Sequence, residues 1–190
     1  ALKTAVQPVK CIALGTFTYP LMNYICKDRT LCPMNYNAVI KEIPEYIMYC
    51  KSGVIADWDS LVEFIHSAAD ECLAANPDME CDDSAYNFIT YPNGFGGDGN
   101  ILLEYYEAVK AFGNETKSIK FKKIEKTKAV CVLHKGSYEG LKFAYAFAFQ
   151  YLKENGYAMS EPPRECYIDG CWNKESVSEY LTEIQIPVDL

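Results

Sequence analysis

The sequence predicts an α+β protein made of tandem β-α-β-β repeats related by a pseudo-two-fold axis. Two observations predict this class. The same order of elements occurs twice, over residues 37–110 and 118–190, and each copy has one amphipathic helix among short alternating strands. Because one helix covers one face of a small antiparallel sheet, we expect a mainly antiparallel sheet with both helices on one face. A central cleft, of the kind that holds ligands, is expected where the copies meet.

Copy one begins with a β-rich stretch, residues 36–53, which predicts two short strands or one strand bent at Ile43 and Pro44. Asp57 is the expected N-cap of a helix, whose apolar side chains follow i, i+3, i+4 spacing. Asn76 and Pro77 end that helix. Strands are predicted at 85–91 and 101–109, with a glycine-rich turn between them at 92–100.

Copy two repeats this order. Short stretches align between the copies, with Trp58 over Leu141 in the helices and Glu104 over Glu183 in the last strands. Each match is weak singly, but all fall on the same predicted element in the same order, and this consistency identifies the duplication. The predicted elements are strands at 118–125 and 128–134, a helix that ends at Asn155 and Gly156, and strands at 165–169 and 180–188.

The composition excludes several classes of function. A net charge of −8 argues against direct nucleic-acid binding by this chain, because such binding needs a basic surface. Nine cysteines lack the CxxC spacing of zinc sites, so we expect no metal and no cofactor. No signal peptide and no apolar run of about 20 residues is visible, which predicts a cytoplasmic protein without membrane contact.

Four motifs of copy two, at 134–141 (HKGSYEGL), 154–157 (ENGY), 162–170 (PPRECYIDG) and 180–188 (YLTEIQIPV), resemble the GyrI-like, or effector-binding, domain family. The resemblance covers residues 36–188. It implies the fold given above and a small-molecule (multidrug) binding role, since the family includes stand-alone proteins and the ligand-sensing domains of bacterial MerR- and AraC-type regulators. The start of copy one resembles the MerR-associated members in particular.

Residues 1–35 do not match that family and are interpreted as an N-terminal segment or linker, followed by the effector-binding domain at 36–190. Pro8, Pro20 and Pro33 argue against a long helix there. No helix-turn-helix is legible in this segment, which has four basic residues. Either the chain stands alone, or a DNA-binding domain is missing from it.

Glu165 is the leading candidate for a ligand-binding residue. The resemblance implies a glutamate at the floor of an aromatic pocket at this position. A carboxylate beside aromatic rings can bind a hydrophobic cation through charge attraction and cation–π contact. The alternative is a salt bridge with Arg164, but neighbours on a strand face opposite ways.

The aromatic content, 14% with 15 tyrosines, suits a binding cavity or half-buried strands equally well. Strand phase puts Tyr167 on the face of Glu165 and pairs Tyr86 with Phe88 in the equivalent strand, Tyr86 aligning with Glu165 itself. The resemblance implies a pocket tyrosine at Tyr180. The remaining candidates, each of which could instead be a core or surface ring, are Tyr138, Tyr145, Trp58 and Tyr49.

Three functions remain open. The first is a small-molecule effector-binding domain of a bacterial transcription regulator, which binds a small hydrophobic cationic or amphipathic ligand. The second, implied by the resemblance, is a stand-alone hydrolase that destroys reactive compounds with Glu165 as general base. The third is a module that inhibits a protein partner. Glu104 and Glu183 are expected to face solvent, and the glycine-rich turn lacks the ending of a phosphate loop.

Overall fold

The computed structural model describes residues 35–94 and 100–189. The predicted N-terminal segment and the centre of the glycine-rich turn lie outside the described residues. The described chain has the predicted order of elements, with a two-residue strand that the sequence did not reveal. The elements are β1 Ala38–Ile43, β2 Tyr46–Ile55, α1 Leu61–Ala75, β3 Asn87–Thr90, β4 Ile101–Val109, β5 Ile119–Ile124, β6 Thr127–Lys135, α2 Leu141–Asn155, β7 Ala158–Met159, β8 Arg164–Asp169 and β9 Leu181–Asp189.

All strand pairs are antiparallel, and the strands follow the order β1-β6-β9-β8-β3-β4-β2-β5, with β7 beside β9. The order is symmetric about its centre, where β3 of copy one pairs with β8 of copy two. The copies also exchange their first strands, since β1 pairs with β6 of copy two and β5 pairs with β2 of copy one. The predicted α+β repeat with a pseudo-two-fold axis is confirmed.

Both helices are preceded by a 3-10 turn. The Asp57 carboxylate accepts a hydrogen bond from the Ser60 backbone N–H (3.0 Å), and this cap starts a 3-10 turn, Trp58–Ser60, that leads into α1. An equivalent turn, Tyr138–Gly140, leads into α2. Since each turn ends one residue before its helix, Trp58 is equivalent to Tyr138. The alignment of Trp58 with Leu141 was wrong because it counted the turn as part of the helix.

The helices cover one face of the sheet and divide its core into two clusters. Helix α1 packs on alternate residues of the copy-one strands, among them Tyr49 and Leu103. Helix α2 packs on Val130, Ile184 and Ile186. In the described part of the chain, no helix is long and apolar enough to cross a membrane, and no group of His, Cys, Asp and Glu side chains is arranged to hold a metal ion.

The opposite face of the sheet carries a second set of buried side chains. The Arg164 guanidinium lies 4.8 Å from the ring centre of Phe88 and pairs with Glu161 at 2.7 Å. Glu183 is buried on this face and bonded to Lys41, so the expectation that it faces solvent was wrong. Glu104 is half-buried and accepts a hydrogen bond from Tyr106 at 2.6 Å.

Candidate functional site

Glu165 lies at the pseudo-two-fold axis of the sheet. It is directly opposite Ile89 in the β3–β8 pair. On the side away from the axis, Ile89 pairs with Tyr105 of β4, and Glu165 pairs with Ile184 of β9. Ile89 and Glu165 therefore occupy equivalent positions in the two copies. The counterpart of Glu165 is therefore Ile89, and the alignment that placed Tyr86 there was wrong. A carboxylate stands on one side of the axis and a hydrocarbon on the other.

Three tyrosine hydroxyls donate hydrogen bonds to the Glu165 carboxylate. Tyr145 of α2 donates to Oε1 at 2.9 Å, while Tyr91 and Tyr167 donate to Oε2 at 3.2 and 2.5 Å. Tyr91 follows β3 and Tyr167 lies on β8, so both copies and a helix contribute to this tyrosine cage. Only 2% of Glu165 is exposed.

Burial raises the pKa of the Glu165 carboxyl above its ordinary value of 4.5, and the three hydroxyl bonds partly oppose that rise. The pKa values of Tyr91 and Tyr167 are well above the usual range, chiefly through burial and then through the nearby Glu165 charge. These hydroxyls therefore remain protonated donors. No ion pair to Glu165 exists among the described residues, so this buried carboxylate is hydrogen-bonded but has no cationic partner there.

A second layer of rings surrounds the tyrosine cage. Trp58, at the start of α1, packs edge-on against Tyr91 with ring centres 5.6 Å apart. Tyr138, at the start of α2, packs edge-on against Tyr167 at 5.5 Å and tilts against Tyr180 at 5.3 Å. The two helix starts thus place one aromatic ring on each side of the axis.

A cleft of about 580 Å³ opens beside the tyrosine cage. It forms because β3 and β8 pair only at two positions, with Thr90 and Arg164 as the second pair, and beyond Ile89 the strands part. Tyr167 belongs to both the tyrosine cage and the cleft, and so joins the interior carboxylate to an open volume. Other lining residues are Val62, Ile65 and His66 of α1, together with Tyr86 and Trp172.

The structure brings together six of the nine candidate residues: Glu165, Tyr167, Tyr145, Tyr138, Tyr180 and Trp58. Tyr86 and Phe88 lie on the opposite face, where the Tyr86 hydroxyl donates to Gln185 at 2.7 Å. The predicted strand phase was wrong because the register pairs Glu165 with Ile89, which puts Tyr86 and Phe88 out of phase with it. Tyr86 nevertheless lines the cleft. Tyr49 is also outside the tyrosine cage, and its hydroxyl donates to Glu107.

Tyr91 is the cage member that the sequence reasoning missed. It follows Ile89 by two residues, just as Tyr167 follows Glu165 by two residues. Once the register of the central pair is known, this spacing puts both rings on the helix-covered face. The two-residue spacing is visible in the sequence, but its meaning depends on knowing that β3 pairs with β8, two strands far apart in the chain.

Comparison with known proteins agrees with this architecture. Residues 39–189 match the family described as the GyrI-like small molecule binding domain. The chain is 40% identical to the EcmrR C-terminal domain in its crystal structure, covering 82% of this chain and 99% of that one, with a TM-score of 0.77. It is 38% identical to the protein in the cryo-EM structure of an EcmrR–DNA complex, covering 90% of this chain, with a TM-score of 0.78.

The chain spans 63% of that second protein, which is less than two thirds of its length. A more distant likeness, at 18% identity and a TM-score of 0.50, is to SAV2435 bound to tetraphenylphosphonium; it covers 82% of this chain and 94% of that one and shows the fold alone. The comparison with curated proteins gave no match. From the family match and the likeness to the EcmrR domain, the chain belongs to the GyrI-like small molecule binding domain family.

Proposed function

We propose that the chain is the effector-binding domain of a bacterial transcription regulator and binds hydrophobic cationic or amphipathic compounds at Glu165. The observation that supports this most strongly is a buried carboxylate that accepts three tyrosine hydroxyl bonds and has no cationic partner among the described residues. A site with fixed donors, a desolvated charge and aromatic walls has the chemistry that a hydrophobic cation needs.

The electrostatic reason for this preference is the cost of burying Glu165. An isolated ionised carboxylate is unfavourable in the protein interior, and the pKa of Glu165 is raised accordingly. A cationic ligand would offset that cost, while tyrosine faces contact its apolar groups. An anionic ligand of the same shape would meet repulsion instead.

The regulatory part of the proposal is supported by the likeness to EcmrR, which has been seen in complex with DNA. With a net charge of −8, this chain is not expected to contact DNA itself, so a DNA-binding region elsewhere would respond to the ligand. The response requires that the ligand prefer one conformation of the domain over another.

Hydrolysis is the second candidate, since the raised pKa of Glu165 would also suit a general base. We rank it second because three of the roughly four acceptor sites of the carboxylate are taken by tyrosine hydroxyls, which leaves one site, on Oε1, for an attacking water. Turnover of a reactive aromatic ester that is lost in Glu165→Ala would reverse this ranking.

Calorimetric titration with tetraphenylphosphonium and tetraphenylborate, which have one shape and opposite charges, tests the binding proposal. The wild-type domain should bind the phosphonium at least about tenfold more tightly. In Glu165→Gln, phosphonium affinity should fall roughly tenfold or more, because a charge-assisted contact is removed. Borate affinity should not fall.

The matched control is Glu104→Gln, which neutralises a carboxylate on the opposite face and should leave both affinities unchanged. Equal losses for the two ions in Glu165→Gln would remove the charge argument. Absence of phosphonium binding to the wild-type domain would remove the proposal.

A further inference from the structure

Thr182 carries a buried hydroxyl without a hydrogen-bond partner among the described residues. The residue is 0% exposed. A buried hydroxyl that makes no hydrogen bond lowers stability, because it has lost its bonds to water without gaining others. Valine has nearly the same shape and no such group. The hydroxyl therefore does not serve the folded state that the structure describes.

Thr182 lies beside the tyrosine cage. On β9 it pairs directly with Tyr167 of β8, whose hydroxyl bonds Glu165, and with His134 of β6. Ile184 is the partner of Glu165 on β9, and Thr182 lies two residues before Ile184. Thr182 is therefore the diagonal neighbour of Glu165 on the same face, with the two residues on the order of 7–8 Å apart.

Neither ring nitrogen of His134 serves Thr182. Nδ1 is hydrogen-bonded with the Tyr36 hydroxyl and Nε2 with the Ser137 backbone carbonyl, both at 2.8 Å. The turn that precedes α2 also lies against this ring, since a Cβ added at Gly140 would come within 2.5 Å of His134 Cε1. His134 is thus fully engaged, and the Thr182 hydroxyl is the polar group left over.

The pseudo-two-fold axis shows that this position is not polar by necessity. The pair equivalent to His134 and Thr182 in copy one is Gly53 and Leu103, and Leu103 is buried in the apolar core beneath α1. At the centre of the sheet the polar replacements lie on the Glu165 side, where Glu165 stands for Ile89 and Thr182 stands for Leu103. Farther from the axis the opposite replacement occurs, since Glu107 of copy one stands for Ile186.

We propose that the Thr182 hydroxyl is a second recognition point for the ligand. The ligand is then an amphipathic cation that also carries a hydrogen-bonding group. This inference rests on the proposed function, with Glu165 receiving the charge. A ligand that parts the edge-on contact between Tyr138 and Tyr167 enters the space between the carboxylate and the hydroxyl.

Two probes that differ by one hydroxyl test the inference: tetraphenylphosphonium and (4-hydroxyphenyl)triphenylphosphonium. The wild-type domain should bind the hydroxylated cation about two- to tenfold more tightly, the gain from one net hydrogen bond. Thr182→Val should lose this preference, while its affinity for tetraphenylphosphonium stays within about twofold of wild type. The variant should also melt at a higher temperature, because an unpartnered polar group is removed.

Thr90→Val is the matched control. Thr90 has the other buried hydroxyl without a described partner, but it pairs with Arg164 and Glu104 and lies on the opposite face. This variant should melt higher and keep the preference for the hydroxylated cation.

Two results would overturn the inference: Thr182→Val that keeps the preference, or that melts below wild type because the hydroxyl has a structural partner. If Glu165→Gln lowers the affinity for both cations while Thr182→Val keeps the wild-type affinity for both, only this inference fails. If Glu165→Gln binds both cations like wild type, or the wild-type domain binds neither, the proposed function fails, and this inference fails with it.

Discussion

Among individual residues, Glu165 is defined by the side chains around it. Its strand contributes Tyr167, the other copy contributes Tyr91, and the helix of its own copy contributes Tyr145. Each hydroxyl donates a hydrogen bond to the carboxylate, and none carries a positive charge that could neutralise it. The carboxylate is thereby held in place while its charge remains available, which distinguishes it from Glu183 with its lysine partner.

Tyr145→Phe tests how strongly the hydroxyls support this charge. The variant leaves Oε1 without the Tyr145 bond, so we expect the free energy of unfolding to fall by about 1–3 kcal/mol. The loss should be larger at pH 8 than at pH 5, because the pKa of Glu165 rises further and the ionised form is the one penalised. Urea denaturation at both pH values measures this.

Tyr151→Phe is the control on the same helix, since no hydrogen bond of the Tyr151 hydroxyl is present among the described residues. It should change stability little at either pH. Equal losses in the two variants, or a loss in Tyr145→Phe that does not vary with pH, would contradict the account of the tyrosine cage.

Among the elements, the 3-10 turns that precede the helices have the clearest link to the site. Each turn carries one aromatic ring, Trp58 or Tyr138, and each ring rests on a tyrosine of the cage. The two turns differ in their caps, because Asp57 bonds the Ser60 N–H whereas the Ser137 side chain makes no capping bond. Copy one therefore depends more on its cap to hold its ring in place.

Asp57→Ala should lower the free energy of unfolding by about 1 kcal/mol, the usual effect of removing an N-cap side chain. Ser137→Ala, at the equivalent position, should change it by much less. Chemical denaturation of both variants provides the comparison. Similar losses at the two positions would show that the turns do not differ in the way their hydrogen bonds indicate.

At the scale of the whole molecule, the exchange of first strands makes the two copies inseparable. Each copy supplies the edge strand of the other, and the β3–β8 pair makes the sheet continuous across the axis. The central pair then brings Ile89 and Glu165 face to face. The repeat builds a symmetric frame, and Glu165 in place of Ile89 makes the centre of that frame polar on one side.

The sequence was sufficient for the order of elements and both helices, because periodicity and caps are local signals. Glu165 was predicted from the family resemblance, and the structure places it among tyrosine hydroxyls. The sequence was insufficient for residues whose position depends on the pairing of β3 with β8. Tyr86 and Phe88 were placed on the wrong face and Tyr91 was missed for this one reason. The role of Tyr49 likewise depended on long-range packing, which places it near Glu107.

The central claim is that the Glu165 carboxylate binds the charge of a cationic ligand. Since burial raises its pKa above 4.5, Glu165 keeps a proton to higher pH than an exposed carboxyl does, and it must be ionised to pair with the cation. Phosphonium binding should therefore strengthen as pH rises through the raised pKa, and weaken below it. Because the folded state binds this proton more tightly than the unfolded state does, the unliganded domain also loses stability as pH rises through that range.

The direct test is the tetraphenylphosphonium affinity of wild type and Glu165→Gln, measured by calorimetric titration at steps from about pH 5 to pH 8. The account predicts an affinity that rises with pH in wild type and stays level in Glu165→Gln. A level profile in wild type, or the same rise in both proteins, would contradict it.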